Sequence, residues 1–178
     1  VHVRSTFKPD PGTIVTREER GMEDVVGTGI THDRSQAKIS LLRVPDRPGI
    51  AAQVVETLGS RRIVLDMIVQ NISRDGFTDI SFTVPRGDSA PAVEALEEVA
   101  QAIGAQGVVH DGRVAKISIV GVGMKSHTGV AGIMFETLAN EGVNIDMIST
   151  SEIKISVVID LAKGEQPMRA VHQVFLGA

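Results

Sequence analysis

The first half of the chain alternates between stretches with strand-like and helical spacing of apolar residues. Asp75-Gly76 is a hairpin turn signal, and Gly104 ends a helical stretch that starts near Pro91. The predicted elements are strand Gln36 to Val44, helix Ile50 to Leu58, strands Ile63 to Ile72 and Thr78 to Val84, helix Pro91 to Ile103, and strand Val108 to His110. This βαββαβ order predicts an α+β unit in which two helices cover one face of an antiparallel sheet.

The same order of elements recurs in the second half of the chain. Gly49 matches Gly129 at an offset of 80 residues, and two identical triplets keep this offset: Glu56-Thr57-Leu58 with Glu136-Thr137-Leu138, and Asp66-Met67-Ile68 with Asp146-Met147-Ile148. The predicted elements are strand Val114 to Val122, helix Val130 to Asn140, strands Val143 to Ile148 and Ile153 to Ile159, and a helix near Gln166 to Phe175. Two matching triplets in one register indicate an internal duplication.

Two stretches lie outside this repeat. The strand-like run Val25 to Thr31 has no place in the first unit, whereas the second unit lacks a closing strand. We therefore expect this run to fill the open edge of the second sheet. The first unit, residues 36–110, would then be inserted in the second, residues 24–35 plus 113–178. Residues 1–23 predict the end of a preceding domain and a linker, because their short strand-like pieces bury too little to fold alone.

Composition narrows the classes of function. The 178 residues suffice for two small domains, and 42% of them are hydrophobic. The absence of cysteine excludes disulfides and thiolate metal sites, and the histidines lack metal-ligand spacing. A net charge of −4 without a basic block, and an aromatic content of 3%, predict no nucleic-acid partner. No apolar run reaches about 18 residues, so we expect no membrane span and a cytoplasmic location.

The strand-to-helix turns are the candidate binding sites. A helix that starts after Pro48-Gly49 presents unpaired backbone N–H groups and the positive end of its dipole, which suit a carboxylate. Asp46 in the turn and Asp66 on the adjacent strand would meet an ammonium group, and Gln70 would contact a side chain. Together these groups predict a site for a free α-amino acid. A purely structural turn is the more common meaning of such a sequence, so both interpretations stay open here.

Five motifs carry more information than the turn chemistry alone. They are Val44-Pro45-Asp46-Arg47-Pro48-Gly49-Ile50-Ala51, Asp66-Met67-Ile68-Val69-Gln70-Asn71, Thr78-Asp79-Ile80-Ser81-Phe82-Thr83, Lys116-Ile117-Ser118-Ile119-Val120-Gly121-Val122-Gly123-Met124, and Asn144-Ile145-Asp146-Met147-Ile148-Ser149-Thr150-Ser151-Glu152-Ile153. Together they resemble the paired ACT domains at the C-terminal end of aspartate kinases, and the match covers nearly the whole chain. The resemblance implies two ferredoxin-like βαββαβ domains, one inserted in the other, that pair into a homodimer and bind threonine, lysine or both for feedback inhibition.

In that family, the enzyme transfers phosphate from ATP to the β-carboxylate of aspartate, the first step towards lysine, threonine and methionine. The resemblance therefore implies ATP and Mg for the parent enzyme and a catalytic domain or subunit as partner. It implies no catalytic residue and no cofactor in this chain, which we expect to be inactive alone. Residues 1–23 resemble the end of the amino-acid kinase domain. The alternative is a ligand-free ACT module that serves only dimerisation.

The resemblance also implies two sets of effector-binding residues. The first set is Asp46, Pro48, Gly49, Ile50, Ala51, Asp66 and Gln70. The second set is Ser126, His127, Thr128, Gly129, Val130, Asn144 and Asp146. One position departs from the family, which commonly has Asn-Ile-Asp where this chain has Val64-Leu65-Asp66. The first site would therefore lack an amide contact that the second site keeps at Asn144.

Overall fold

The computed structural model describes residues 2–3, 13–14, 29–71, 75–121 and 129–177. The strands are β1 (His2–Val3), β2 (Thr13–Ile14), β3 (Gly29–Asp33), β4 (Gln36–Pro45), β5 (Ile68–Gln70), β6 (Phe77–Pro85), β7 (Gly107–Asp111), β8 (Val114–Val120), β9 (Met147–Thr150) and β10 (Lys154–Asp160). The helices are α1 (Ile50–Ser60), α2 (Ser89–Ile103), α3 (Val130–Asn140) and α4 (Gln166–Leu176). Within this described part of the chain, no helix is both long and apolar enough to cross a membrane.

The first large sheet has the strand order β5-β6-β4-β7, and each neighbouring pair is antiparallel. Helices α1 and α2 pack with it around one apolar core. Phe82 on β6 and Ile39 on β4 are opposite each other in this core, and both are almost fully buried. The predicted βαββαβ unit with helices against an antiparallel sheet is therefore confirmed.

The second large sheet has the strand order β3-β8-β10-β9 and packs with α3 and α4. Its first strand, β3, pairs with β8 so that Ile30 lies opposite Ile119. The sequence predicted an edge strand here, and the pairing confirms it. The described strand runs from Gly29 to Asp33 and so ends two residues beyond the predicted end at Thr31, while the predicted first residues, 25–28, lie outside the described part. Strand β3 of the second sheet therefore precedes all four strands of the first sheet in the chain, and the other three strands of the second sheet follow them.

The strands that follow α1 and α3 are shorter than their apolar runs predicted. The run from Ile63 to Ile72 was predicted as one strand, but only Ile68–Gln70 pairs as β5, with residues 72–74 outside the described part. Similarly, Val143 precedes the start of β9 at Met147. The apolar residues just after each helix therefore have another role.

These residues complete the C-terminal turns of the helices. The Ile63 amide donates to the Leu58 carbonyl at 3.0 Å, and the Val143 amide donates to the Leu138 carbonyl at the same distance. The residue before each of them has positive φ, 60° at Arg62 and 65° at Gly142. This is the Schellman arrangement, in which an apolar side chain covers the helix end and the backbone satisfies the last carbonyls. Burial at these positions therefore reflects helix termination.

The two large sheets contact each other through the faces that do not carry helices. Met67 and Met147, just before and at the start of β5 and β9, pack with Val114 and Val158 in a small buried cluster. Each sheet also has a pair of serine hydroxyl groups in hydrogen-bond contact. The Oγ atoms of Ser40 and Ser81 are 2.7 Å apart, and those of Ser118 and Ser156 are 2.8 Å apart and buried. Because only four buried residues form this apolar cluster among the described residues, polar interactions are also important in joining the two sheets.

Candidate functional site

The turn between β4 and α1 forms most of a cavity of about 320 Å³. Gly49 is the N-cap of α1 with φ of 94°, a left-handed conformation that glycine adopts without strain. No side chain caps this helix start, so its first N–H groups are directed into the turn region without intrahelical partners. The lining residues are Val44, Pro45, Asp46, Arg47, Pro48, Gly49, Ile50, Ala51 and Gln70.

The cavity brings together most of the first predicted set of effector-binding residues. Gln70, at the end of β5, lies across the cavity from the helix-start turn. The N–H groups of the helix start and the helix dipole suit a carboxylate, although the Ile50 amide also donates to the Arg47 carbonyl at 3.4 Å. The exposed carboxylate of Asp46 suits an ammonium group, and the Gln70 amide can both donate and accept. The turn is held in place by the Asp46 amide, which donates to the Gly76 carbonyl at 2.9 Å. The arrangement can accommodate a small zwitterion.

Asp66 belongs to the same predicted set but does not line this cavity. It precedes β5, whereas Gln70 ends that strand, so the two lie about 13 Å apart along an extended chain. The Asp66 carboxylate instead pairs with the ammonium group of Lys116 on β8 of the second sheet. Lys116 also lies 3.9 Å from Asp33 on β3, and only 12% of its side chain is exposed. Asp66 therefore takes part in the junction between the sheets.

The second predicted set is described only in part. Ser126, His127 and Thr128 lie outside the described residues. Gly129 is the N-cap of α3 with φ of 95° and has no side-chain cap, so it reproduces the geometry of Gly49. Val130 begins the helix and is buried, as Ile50 is in the first domain. The described start of α3 therefore has the same backbone geometry as the start of α1.

Asn144 and Asp146 lie at the other end of the second domain. Helix α3 runs from Val130 to Asn140, so residues that follow it emerge at the end of the domain opposite the helix-start turn. There they line a separate cavity of about 320 Å³ with five further residues, which are Asp111, Arg113, Gly142, Asp160 and Lys163. Among the described residues, Gly49 and Asp66 line no common cavity, and the cavity at Asn144 and Asp146 includes neither Gly129 nor Val130.

The edge strand β3 carries two groups with shifted pKa values. Burial lowers the pKa of His32 below its ordinary value of 6.5, and the positive charge of Arg34 lowers it further. These two effects outweigh the carboxylates of Glu165 and Asp33, which raise the pKa. The Nε2 atom of His32 is buried and has no hydrogen-bond partner among the described residues. Burial raises the pKa of Asp33, but hydrogen bonds from Ser35 and other polar neighbours outweigh it and hold that pKa below its usual range.

Stability is expected to fall as the pH is lowered below about 6.5, because the pKa of His32 is lower in the folded protein than in the unfolded chain. The unfolded chain then takes up a proton that the folded protein resists. This contribution is fully present above pH 6.5 and is lost as the pH falls through the folded-state pKa. Urea unfolding of the chain and of His32→Gln at several pH values measures it. A decrease of the same size in both proteins would assign the effect to other groups.

Sequence reasoning missed the polar junction between the domains. Besides the Lys116 pair, Arg86 donates to the carbonyls of Arg34 at 2.7 Å and of Gln36 and Val114 at 3.4 Å. The guanidinium group of Arg86 therefore contacts both segments of the chain that link the two sheets, the one between β3 and β4 and the one between β7 and β8. These partners are 28 to 52 residues apart in the chain, so no local spacing signals them.

Comparison with known proteins matches each domain to the same fold family. Residues 39–104 and residues 117–175 each match an ACT domain family. An aspartate kinase of Pseudomonas putida is 47% identical over 98% of this chain, and the chain spans 43% of that relative's length. The crystal structure of aspartokinase alpha and beta subunits is 50% identical with a TM-score of 0.78, and 84% of this chain matches 98% of that one.

A second solved structure gives the same result. The ligand-free regulatory subunit of aspartate kinase from Thermus thermophilus is 43% identical with a TM-score of 0.79. The match covers 84% of this chain and 99% of that chain. The similarity therefore spans whole regulatory subunits, whereas it spans less than half of the longer relative from Pseudomonas putida.

Proposed function

Because the chain belongs to the aspartate kinase family and forms its regulatory region of two ACT domains, we propose that it is a sensor of free amino acids. Threonine, lysine or both bind at the helix-start turns and inhibit an ATP-dependent kinase that phosphorylates aspartate. The catalytic domain or subunit lies outside this chain, and ATP and Mg belong to it. No group of three or more His, Cys, Asp or Glu side chains that could hold a metal ion occurs among the described residues.

One observation carries this proposal: Gln70 and the turn at Gly49 share a single cavity. Every amino acid offers a carboxylate to the N–H groups and an ammonium group to Asp46, so these contacts give affinity without selectivity. Gln70 lies where the side chain of the effector would extend. Its amide suits either the hydroxyl of threonine or the ammonium group of lysine.

A second copy of the chain would complete each site. Strands β5 and β9 are edge strands, and each exposes an isoleucine, Ile68 at 51% and Ile148 at 44%. Antiparallel pairing of β5 with β9 of the second copy would place the start of one strand beside the end of the other. Asn144 and Asp146 of the second copy would then lie near Gln70. The separation of these residues within one chain is thus consistent with a site built between two chains.

Inhibition then results from differential binding. An effector that bridges two chains stabilises the paired arrangement of the domains, and the catalytic part is less active in that arrangement. Such coupling is typically about 1–3 kcal/mol, and it is reciprocal for binding. To the extent that the effector lowers the affinity of the kinase for substrate, bound substrate weakens effector binding by the same factor.

Isothermal titration of the chain with threonine and then lysine tests the proposal, together with light scattering for the oligomeric state. Saturable binding of either amino acid by a dimer is expected, and Gln70→Ala should weaken it by about tenfold, equivalent to about 1.4 kcal/mol. Gln70 is exposed, so its loss should leave the melting temperature unchanged. Glu94→Ala, an exposed change on α2, is a matched control.

The other outcomes are equally distinct. If the chain is a dimer whose melting temperature does not change with either amino acid, and neither gives a heat of binding, the chain is the ligand-free module that serves only dimerisation. Full binding by a monomer would retain the sensor but exclude a site between chains. Unchanged affinity in Gln70→Ala would show that the cavity at the first turn does not hold the effector.

A further inference from the structure

A β-bulge in β4 lies directly before the first helix-start turn. Pairing between β4 and β6 is interrupted between Leu41 and Val44, so Leu42 and Arg43 together face Asp79. Arg43 has φ of 49°, in the left-handed region that residues other than glycine rarely adopt. A bulge bends its strand and redirects the chain beyond it, and here the next residues line the cavity. The orientation of the turn therefore depends on this bulge.

Asp79 supplies the hydrogen bonds that the bulge requires. Its Oδ1 atom accepts from the Arg43 amide at 2.8 Å, within the interrupted part of the β4–β6 ladder. Its backbone carbonyl accepts from the Asn71 amide at 3.4 Å. Asn71 directly follows Gln70, which lines the cavity. Asp79 thus contacts both the strand that leads into the turn and the strand end opposite it.

The side chain of Arg43 provides a further restraint. Its guanidinium carbon lies 4.4 Å from the centroid of the Phe77 ring, within range of a cation–π interaction. Phe77 pairs with Pro45, which lines the cavity. The strained backbone of Arg43 is therefore held from two sides, and strain that neighbouring groups maintain is typical of functional sites.

We propose that Asp79 is a positioning residue for the amino-acid site at the first turn. It fixes the bulge at Arg43, and the bulge sets the direction in which the turn presents its N–H groups to the carboxylate of the ligand. This inference rests on the proposed function, because the ligand is the amino acid assigned there. Preorganised donors bind without the cost of ordering the loop, so loss of the Asp79 bond weakens binding although Asp79 does not touch the ligand.

Three substitutions separate this role from a merely structural one. Asp79→Ala removes the acceptor and should raise the dissociation constant for threonine or lysine about tenfold or more. Asp79→Asn keeps an oxygen acceptor and should stay within about threefold of the unchanged chain. Arg43→Gly should also retain binding, because glycine adopts positive φ without support, and it should partly rescue Asp79→Ala in the double variant. Glu98→Ala, which removes an exposed carboxylate on α2, is the charge-matched control.

Hydrogen exchange of the peptide that spans residues 42–51 gives a readout that needs no ligand. Faster exchange in Asp79→Ala, confined to this peptide and absent in Asp79→Asn, is the expected result. If the unchanged chain binds neither amino acid, the proposed function fails, and exchange alone decides the positioning role. Exchange and affinity equal to those of the unchanged chain would overturn the inference. So would faster exchange throughout the first domain, since that result indicates general destabilisation.

Discussion

Replacing Phe82 by alanine is expected to lower the free energy of unfolding by about 3–5 kcal/mol. Phe82 is 1% exposed and is the largest of the fully buried side chains among the described residues. It lies on β6 between Ile39 and Ile68 of the neighbouring strands. The surrounding core is aliphatic and close-packed between the sheet and two helices, so it can collapse only partly around the cavity that alanine leaves. Urea unfolding followed by circular dichroism measures the change, since the chain has no Trp or Tyr for fluorescence.

A matched control comes from the edge of the same sheet. Val109 on β7 is 52% exposed, and Val109→Ala should change the free energy of unfolding by about 0.5 kcal/mol or less. A loss below about 1 kcal/mol in Phe82→Ala would contradict the packing of the first core. A similar loss in both variants would show that burial does not distinguish these positions.

Replacing Lys116 by methionine is expected to lower the free energy of unfolding by about 1–3 kcal/mol. The Lys116 side chain is 12% exposed and lies between Asp66 and Asp33, whose side chains are 30% and 32% exposed. Without its ammonium group, two neighbouring carboxylates lose their counter-ion where the sheets meet. Because water still reaches both carboxylates, the loss should be smaller than for a fully buried pair. Urea unfolding at low and high salt measures it, and added salt should reduce it.

A double-mutant cycle isolates the Lys116–Asp66 interaction from the loss of packing. Asp66→Asn removes the charge of the partner and retains its shape. The double variant should be more stable than the sum of the single losses predicts, by about 0.5 kcal/mol or more. Strictly additive losses would show that Lys116 contributes only through its aliphatic stem and that the sheets are joined by their apolar cluster.

The helices and hairpins were predictable because their signals are local. Helical spacing and the glycine at its start defined α3 at Val130–Asn140 with the observed bounds. Asp75-Gly76 marked the hairpin, and Gly76 adopts the positive φ of 78° that such a turn needs. Each of these features depends on residues a few positions apart. The sequence therefore contains all the information that determines them.

Strand lengths were less predictable, since apolar side chains mark burial and do not show which element buries them. Ile63 has the composition of a strand residue, yet its amide completes the end of α1. Arg62, in positive φ just before it, gave no signal because arginine is not typical of that conformation. The matching position in the second domain is Gly142, and the duplication could have revealed the helix end there.

One part of the candidate site was predictable from the local sequence, and the other part depends on how the two sheets pack. The turn at Gly49 was predicted from its own sequence, and the structure forms a cavity around it with Gln70. The sequence also placed Asp66 on the neighbouring strand, but alternation along a strand does not specify which end meets a given turn. The structure places Asp66 with Lys116, 50 residues away in the chain. No spacing rule connects two side chains that meet only when two sheets pack.

By itself, the sequence determined the duplicated βαββαβ order, the two glycine helix starts and the ACT family. Those features depend on apolar periodicity and on backbone conformations that only particular residues adopt. The tertiary structure decided the register in which β3 pairs with β8, how Asp79 holds the bulge at Arg43, and how Lys116 joins the domains. Such contacts link residues far apart in the chain, and only the packing of complete sheets brings them within reach.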